Sequence, residues 1–563
     1  MGLNILHDTS AAIVVDGELV CAVEEERFNR DRHTAEFPNA AIDYCLEQAG
    51  VRREDVLGVG LTFDYGKFRD NTDPFDQNLI DHDDLTPAGL EVIRNLNRQT
   101  WQEATEQLEL NGFGRARHFR HHLTHAACGF WLSGLPEANV LVMDGRGEEE
   151  STSLWSASGT RIEHLESYPV ADSLGHLYTY ITSLCGLYRR SGRQERAGHL
   201  GAIGNEGKTM GLSAYGSGRF DLDDVVTFSS QRYRVHRDRL REFDVHKAAP
   251  GQPDDNSREL AFAVQRKLEE VYHFLAARLE ELTGRREFVL AGGVALNCNA
   301  NGALAASALA DKVFIPPAAH DAGAAVGAAF LQWVEHSGRA PKVPADQIYL
   351  GEAIDRAAVA QAVAASGVSR VARVSDPAAV AAAAVARGFV VGWCQGRMEF
   401  GPRALGNRSI LADPRNPAMP DKINMRVKFR ESWRPFAPSV LAEKSAGWFE
   451  PAIESPYMLL SLSVRPDRRE TVPAITHVDG TARVQTVTPQ ANPLYHRLIE
   501  EFDRLTGVPM VLNTSLNIKG EPIARTPEDA IRCFVKSGLD VLVMDDTVLW
   551  KDDVDLDIEP AAA

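Results

Sequence analysis

Two histidines four residues apart, His121 and His125 in FRHHLTHAACGF, share one face of a helix with about one turn between them. That spacing chelates one divalent ion, or merely packs two rings, and His122 points elsewhere. Asp144 ends the run NVLVMDG, and Asp321 precedes the small-residue run AGAAVGAAF. Strand ends and helix N-termini are where α/β folds gather ligands, although both positions also suit a turn former or a helix cap. Two His and two Asp would suit iron(II), manganese or zinc with positions left open for substrate oxygens. Spacing alone does not assemble the set.

NEGKTMGLSAYG and LAGGVALNCNANG are glycine-rich loops where backbone N–H groups approach phosphate or where the chain simply turns, and neither is a Walker loop. Between Arg397 and Arg434 stand nine basic residues against four acidic ones, inside a chain of formal charge -18. Guanidinium groups match phosphate oxygens bidentately, so this stretch predicts a pocket for a small phosphorylated anion. The alternative is a set of charges paired with acids elsewhere.

Elements must position these groups. From Leu3 to Phe28 the pattern reads as strand, turn at HDTS, strand AAIVV, a hairpin turn at Asp16-Gly17 and strand ELVCAVEE. Helices and strands then alternate: a helix across WQEATEQLEL, a strand at NVLVMDG, and a long helix from Ser257 to about Leu282 feeding FVLAGG. The Pro- and Gly-rich stretch HSGRAPKVPADQIYLG predicts a domain boundary near residue 345. Beyond it come Ala-rich helices, one capped by Asp376-Pro377, the strand FVVGWC and a mixed α/β tail to about residue 557. The turns HDTSAA and MDGRGEEESTSLW echo each other, as in a duplicated fold.

A length of 563 residues implies two to four domains. The acidic balance argues against a nucleic-acid surface. Seven scattered cysteines without a CxxC pair indicate neither a disulfide framework nor a zinc finger, and fit a reducing cytoplasm. No export segment or membrane span is expected.

Read together, HDTSAAIVVDG, HHLTHAA, MDGRGE, EGKTMGLSAYG, AGGVALNCNANG, HDAGAAVGAA, GPRALGNRSILADPR, KFRESWRPFAPSV and LNTSLNIKGEPI resemble the O-carbamoyltransferase family of the nodulation-factor, cephamycin and tobramycin enzymes. The chain departs from that pattern at Ser213-Ala214, where Ala-Pro is expected, and in its short opening turn. The resemblance implies an α/β protein: a duplicated actin-like (ASKHA) ATPase domain over residues 1–345, then a YrdC-like α/β domain over 346–563. It implies that His121, His125, Asp144 and Asp321 hold a divalent metal, with iron(II) the first candidate, and that Lys208, Gly211, Gly292, Gly293 and Asn297 surround ATP, which can bring Mg2+. It implies that Arg403, Lys428, Arg434, Arg483, Asn513 and Ser515 bind carbamoyl phosphate. His7, Lys428 and Arg403 would carry the catalytic steps, His7 by assisting the acceptor hydroxyl.

The implied partners are carbamoyl phosphate, ATP and a hydroxyl-bearing small molecule such as a glycoside, macrolide or aminoglycoside of secondary metabolism. Oligomeric state stays open, a homodimer being one option. Three rivals share parts of this pattern. A tRNA threonylcarbamoyltransferase conflicts with the acidic balance, a hydrogenase-maturation carbamoyltransferase with the missing Cys-rich modules, and a non-catalytic actin-like regulator with the retained His, Asp and Arg residues.

Overall fold

The computed structural model describes residues 1–64, 99, 101–187, 204–343 and 348–556. The expected boundary at residue 345 and the end of the tail at 557 lie outside the described residues. The chain forms two compact units, one made of residues 1–25 and 33–345, the other of residues 26–32 and 346–563. The short segment 26–32 thus belongs with the second unit although first-unit residues flank it.

Among the described residues the first unit contains two five-stranded sheets of identical plan. In one, β1 (Gly2–Asn4), β2 (Ser10–Val15), β3 (Glu18–Glu24), β4 (Gly60–Leu61) and β5 (Arg117–His118) run in the order β3-β2-β1-β4-β5. In the other, β6 (Glu137–Met143), β7 (Glu150–Ser158), β8 (Arg161–Pro169), β11 (Glu287–Ala291) and β12 (Lys312–Phe314) run β8-β7-β6-β11-β12. A small hairpin, β9 (Val226–Phe228) with β10 (Tyr233–Val235), lies between β8 and β11 in the chain. Each sheet pairs its first three strands antiparallel and its last two parallel to the first. The fold is therefore a duplication, and the turns HDTS and MDGRGE occupy the same place in the two copies, between first and second strands.

Local sequence explains the elements. Asp16 and Gly17 take φ values of 52° and 92°, the mirror-image turn that matches strand twist in a tight hairpin. Strand β6 is buried from Ala138 to Met143, as a central strand covered on both faces must be. Helix α1 (His121–Ser133) has no side-chain N-cap of its own; the buried carboxylate of Glu148 instead accepts the His121 N–H at 3.0 Å and 3.2 Å. Helix α2 (Asp255–Thr283) starts with a capping box between Asp254 and Ser257. Helix α3 (Asp321–Ser337) is built of small residues because backbone passes close by. A Cβ at Gly327 would overlap the Thr124 carbonyl on α1, and one at Gly2 would overlap the Ala325 carbonyl on α3.

The second unit centres on a ten-stranded mixed sheet among the described residues. Its strands are β13 (Val371–Arg373), β14 (Val391–Cys394), β15 (Arg408–Ala412), β16 (Ala437–Leu441), β17 (Phe449–Glu450), β18 (Leu460–Val464), β19 (Thr481–Val487), β20 (Met510–Ser515), β21 (Val541–Met544) and β22 (Thr547–Trp550). They run in the order β13-β22-β21-β14-β15-β20-β16-β19-β18-β17. Asp376 caps helix α4 (Pro377–Ala386) by accepting the Ala379 N–H at 3.2 Å.

Candidate active site

Helix α1 delivers His121 and His125 from its first two turns, β6 delivers Asp144 from its end, and α3 delivers Asp321 from its first residue. The two imidazole Nε2 atoms stand 3.1 Å apart. Asp144 Oδ2 lies 3.0 Å from His121 Nε2 and 3.3 Å from His125 Nε2, while Asp321 Oδ1 lies 3.6 Å from each. All four donor atoms fall within 4.8 Å of one another.

Surrounding groups aim these donors. Asp144 Oδ1 accepts backbone N–H groups of Gly145 at 2.7 Å and Gly293 at 3.3 Å, which leaves Oδ2 for the imidazoles. His121 Nδ1 lies 3.2 Å from the Thr62 carbonyl, and donating there directs the Nε2 lone pair into the cluster. Phe63 stacks on the same ring at 3.9 Å. Ligands on one divalent ion at about 2.1 Å, separated by roughly 90° to 110°, are about 3.0 to 3.4 Å apart, so the donor set fits such an ion. Burial opposes a charge on His121, yet Asp321 and Asp144 outweigh it and hold its pKa at about 10. Burial likewise opposes the Asp144 carboxylate, but His121 and His125 hold it well below the usual range.

The other residues singled out in the first unit divide by role. Gly292, at φ 90°, turns the chain against the Met143 carbonyl, where any Cβ would collide. Asn297 is committed locally: its Oδ1 caps helix α5 (Cys298–Ala305) through the Ala300 N–H at 3.0 Å, and its Nδ2 donates to Gln265 at 2.9 Å. Lys208 and Gly211 lie in a short helix (Glu206–Leu212) that meets the start of α5 through Met210 Sδ and Cys298 Sγ, 3.7 Å apart. His7 sits in the β1–β2 turn with its Nδ1 3.0 Å from Asp8 Oδ2 and its side chain 42% exposed. Asp8 raises its pKa to about 10 against the opposing effect of burial.

In the second unit Lys428 is buried and donates to the Ser515 carbonyl, to Ser515 Oγ at 3.2 Å and to Asn517 Oδ1 at 2.7 Å. Burial first, then Arg430, Arg434 and Arg32, hold its pKa well below the usual lysine range. Arg434 is lowered by burial and by the nearby cations Arg483 and Arg32, against the pull of Glu431. Arg430 is lowered by burial, Arg434 and Arg483. Cations packed this closely against one another form a potential well for an anion. Asn513, buried on β20, donates to the Ala404 carbonyl at 3.2 Å, Ser439 Oγ at 2.9 Å and Gln485 Oε1 at 3.3 Å, which ties the strand to the loop carrying Arg403.

Much of the basic run is committed to partners within the fold. Arg408 is fully buried and donates to backbone carbonyls of Gln395, Gly396, Asn407 and Glu352. Arg397 binds the Leu350 and Gly351 carbonyls, Arg415 binds Asp413, and Lys422 binds Asp540. These four cations hold loops in place, and buried Glu399 joins them by accepting the N–H groups of Leu405, Asn407 and Arg408.

A family model described as carbamoyltransferase N-terminus matches residues 1–68 and 115–330, and one described as carbamoyltransferase C-terminus matches residues 382–551. The chain belongs to the carbamoyltransferase family. This carbamoyltransferase is 37% identical to nodulation protein NolNO of Sinorhizobium fredii over 97% of this chain and 79% of that one. It is 40% identical to nodulation protein NolO of Bradyrhizobium diazoefficiens over 75% of this chain and 77% of that one. It is 29% identical to the 3'-hydroxymethylcephem-O-carbamoyltransferase of Streptomyces clavuligerus over 96% and 97%. Among the described residues no helix is long and apolar enough to cross a membrane.

Sequence reasoning on the carbamoyltransferase missed Glu148, which anchors helix α1, the Asp8–His33 contact beside His7, and Arg32, which acts from the segment 26–32. An acid four residues after Asp144 was a visible signal for the first. Nothing local in the sequence marked Arg32, because its partners lie some four hundred residues away.

Proposed function

We propose that this carbamoyltransferase moves a carbamoyl group from carbamoyl phosphate, with ATP and through carbamoyl adenylate, onto a hydroxyl of a small-molecule natural product. The observation that carries this reading is that the chain holds two chemically distinct constellations, a His₂Asp₂ donor set and a buried cation cluster. The cephem relative, whose name is that of an O-carbamoyltransferase, supports an oxygen acceptor.

The cation cluster suits the donor step. Lys428, Arg434, Arg483 and Arg403 would neutralise the phosphate of carbamoyl phosphate, so that water releases phosphate and leaves carbamate in place. A carbamate oxygen then attacks the α-phosphorus of ATP and pyrophosphate leaves. Asn513 and Ser515 fix the orientation of the small anion; in the transfer step Lys208 with Gly211, Gly292 and Gly293 would face the nucleotide of the adenylate, Asn297 shaping that loop as a helix cap.

The first-unit constellation suits the transfer step. His121, His125, Asp144 and Asp321 would hold a divalent ion, iron(II) among the candidates, which supplies Lewis-acid stabilisation of negative charge. His7 accepts the proton of the acceptor hydroxyl as its oxygen bonds to the carbamoyl carbon and AMP departs. Incubation with carbamoyl phosphate and ATP is expected to release pyrophosphate, and labelled carbamoyl phosphate is expected to label one of a panel of glycoside, macrolide and aminoglycoside acceptors. Labelling that proceeds at full rate without ATP would overturn the adenylate route.

A further inference from the structure

The turn that carries His7 holds a carboxylate with two partners. Asp8 adopts φ 52°, in the left-handed region where residues other than glycine are uncommon, and this places its side chain between two imidazoles. Oδ2 lies 3.0 Å from His7 Nδ1, and Oδ1 lies 2.7 Å from His33 Nδ1. The two rings stack with centroids 5.7 Å apart and planes inclined by 9°. The turn is locked from below: Asn4 Nδ2 donates to the carbonyls of His7 at 2.6 Å and Asp8 at 3.1 Å, and Asn4 Oδ1 accepts Thr62 Oγ1 at 2.8 Å. Asn4 and Thr62 are fully buried.

We propose that Asp8 is a positioning residue for the transfer step: it holds His7 with Nδ1 protonated and Nε2 as the nitrogen turned to the acceptor, while His33, on the other carboxylate oxygen, moderates that hold. The proposal rests on the reading of His7 as the base. Asp8 already stabilises the His7 imidazolium, and a carboxylate devoted to His7 alone would do so still more strongly and leave a smaller share of neutral base. Sharing Asp8 with the His33 N–H draws off part of that charge. Asp144 and Asp321 also face His7 electrostatically, and Glu206 faces His33, so Asp8 is the acid within contact distance of both rings. In the step itself the acceptor O–H bond breaks as the His7 Nε2–H bond forms, the new C–O bond forms as the carbamoyl–AMP bond breaks, and the half-exposed His7 returns its proton to solvent.

The test measures kcat/KM for transfer from pre-made carbamoyl adenylate against pH, using the full chain as purified. Its acid limb reports the free enzyme's base. Asp8→Asn removes the negative charge, so the His7 imidazolium loses its partner and the limb is expected to move to lower pH, by about one to three units. His33→Phe keeps a ring to stack but no donor, which leaves the carboxylate to His7, so the limb is expected to move to higher pH. Opposite shifts are not what a merely structural role produces. His7→Ala is the control: wild-type transfer in that variant defeats the His7 reading itself. If His7→Ala is inactive, limbs that stay put or shift together in the other two variants overturn the proposal. Should Asp8→Asn fail to fold by thermal melt, the direction of shift in His33→Phe decides alone.

Discussion

At the scale of single residues, His125 and Arg434 make separable claims. His125 Nε2 stands within 3.6 Å of three other donor atoms, so His125→Ala leaves two carboxylates and one imidazole. Affinity for a divalent ion depends on ligand count, and elemental analysis of the purified variant is expected to find it depleted of metal relative to wild type. Stoichiometric metal together with wild-type turnover would remove His125 from the ligand set. Arg434 lies in the cation cluster with Arg483 and Arg32. Arg434→Lys retains charge and loses the planar fork, so the KM for carbamoyl phosphate is expected to rise about tenfold, the loss of roughly one bidentate contact, with the KM for ATP little changed. Equal losses for both substrates would place Arg434 outside the donor pocket.

At the scale of elements, α1 and α3 form the frame of the donor set, and their mutual approach depends on an absent side chain. Gly327 lies where a Cβ would overlap the Thr124 carbonyl, one residue before His125. Gly327→Ala must push the helices apart, an overpacking that typically costs about 1 to 3 kcal/mol. A melting temperature lower by several degrees is expected, with metal content reduced because the displaced elements are those that carry His125 and Asp321. An unchanged melt and full metal would show that the helices separate without strain. The long helix α2, by contrast, serves the site indirectly: Gln265 on it engages the Asn297 amide that caps α5. Helix α2 was legible to within two residues at its start from its 3.6-residue apolar period, and the capping box of Asp254 and Ser257 sets the start that the structure shows.

At the scale of the molecule, the two constellations predict that the half-reactions come apart. Arg403→Ala is expected to abolish pyrophosphate release from ATP and carbamoyl phosphate, yet to carbamoylate the acceptor when given pre-made carbamoyl adenylate. His7→Ala is expected to do the reverse, making adenylate while transferring slower by roughly 10²- to 10⁴-fold. A folded Arg403→Ala variant unable to use the adenylate would sink the division of labour. What the sequence determined by itself was the set of local codes: the hairpin turn at Asp16-Gly17, the cap at Asp376, the histidine pair on one helical face, and the family pattern along the chain. These depend on neighbours within a few residues, and such interactions are written in order along the chain. Tertiary structure alone decided which residues meet. It set Asp144 and Asp321 against the histidines, turned the faint echo of two loops into equivalent turns of duplicated sheets, and recruited Arg32 to cations beyond residue 428. It also committed Arg397, Arg408, Arg415 and Lys422 to carbonyls and carboxylates, because a buried cation must satisfy its donors wherever the folded chain offers acceptors, and that offer has no fixed distance in sequence.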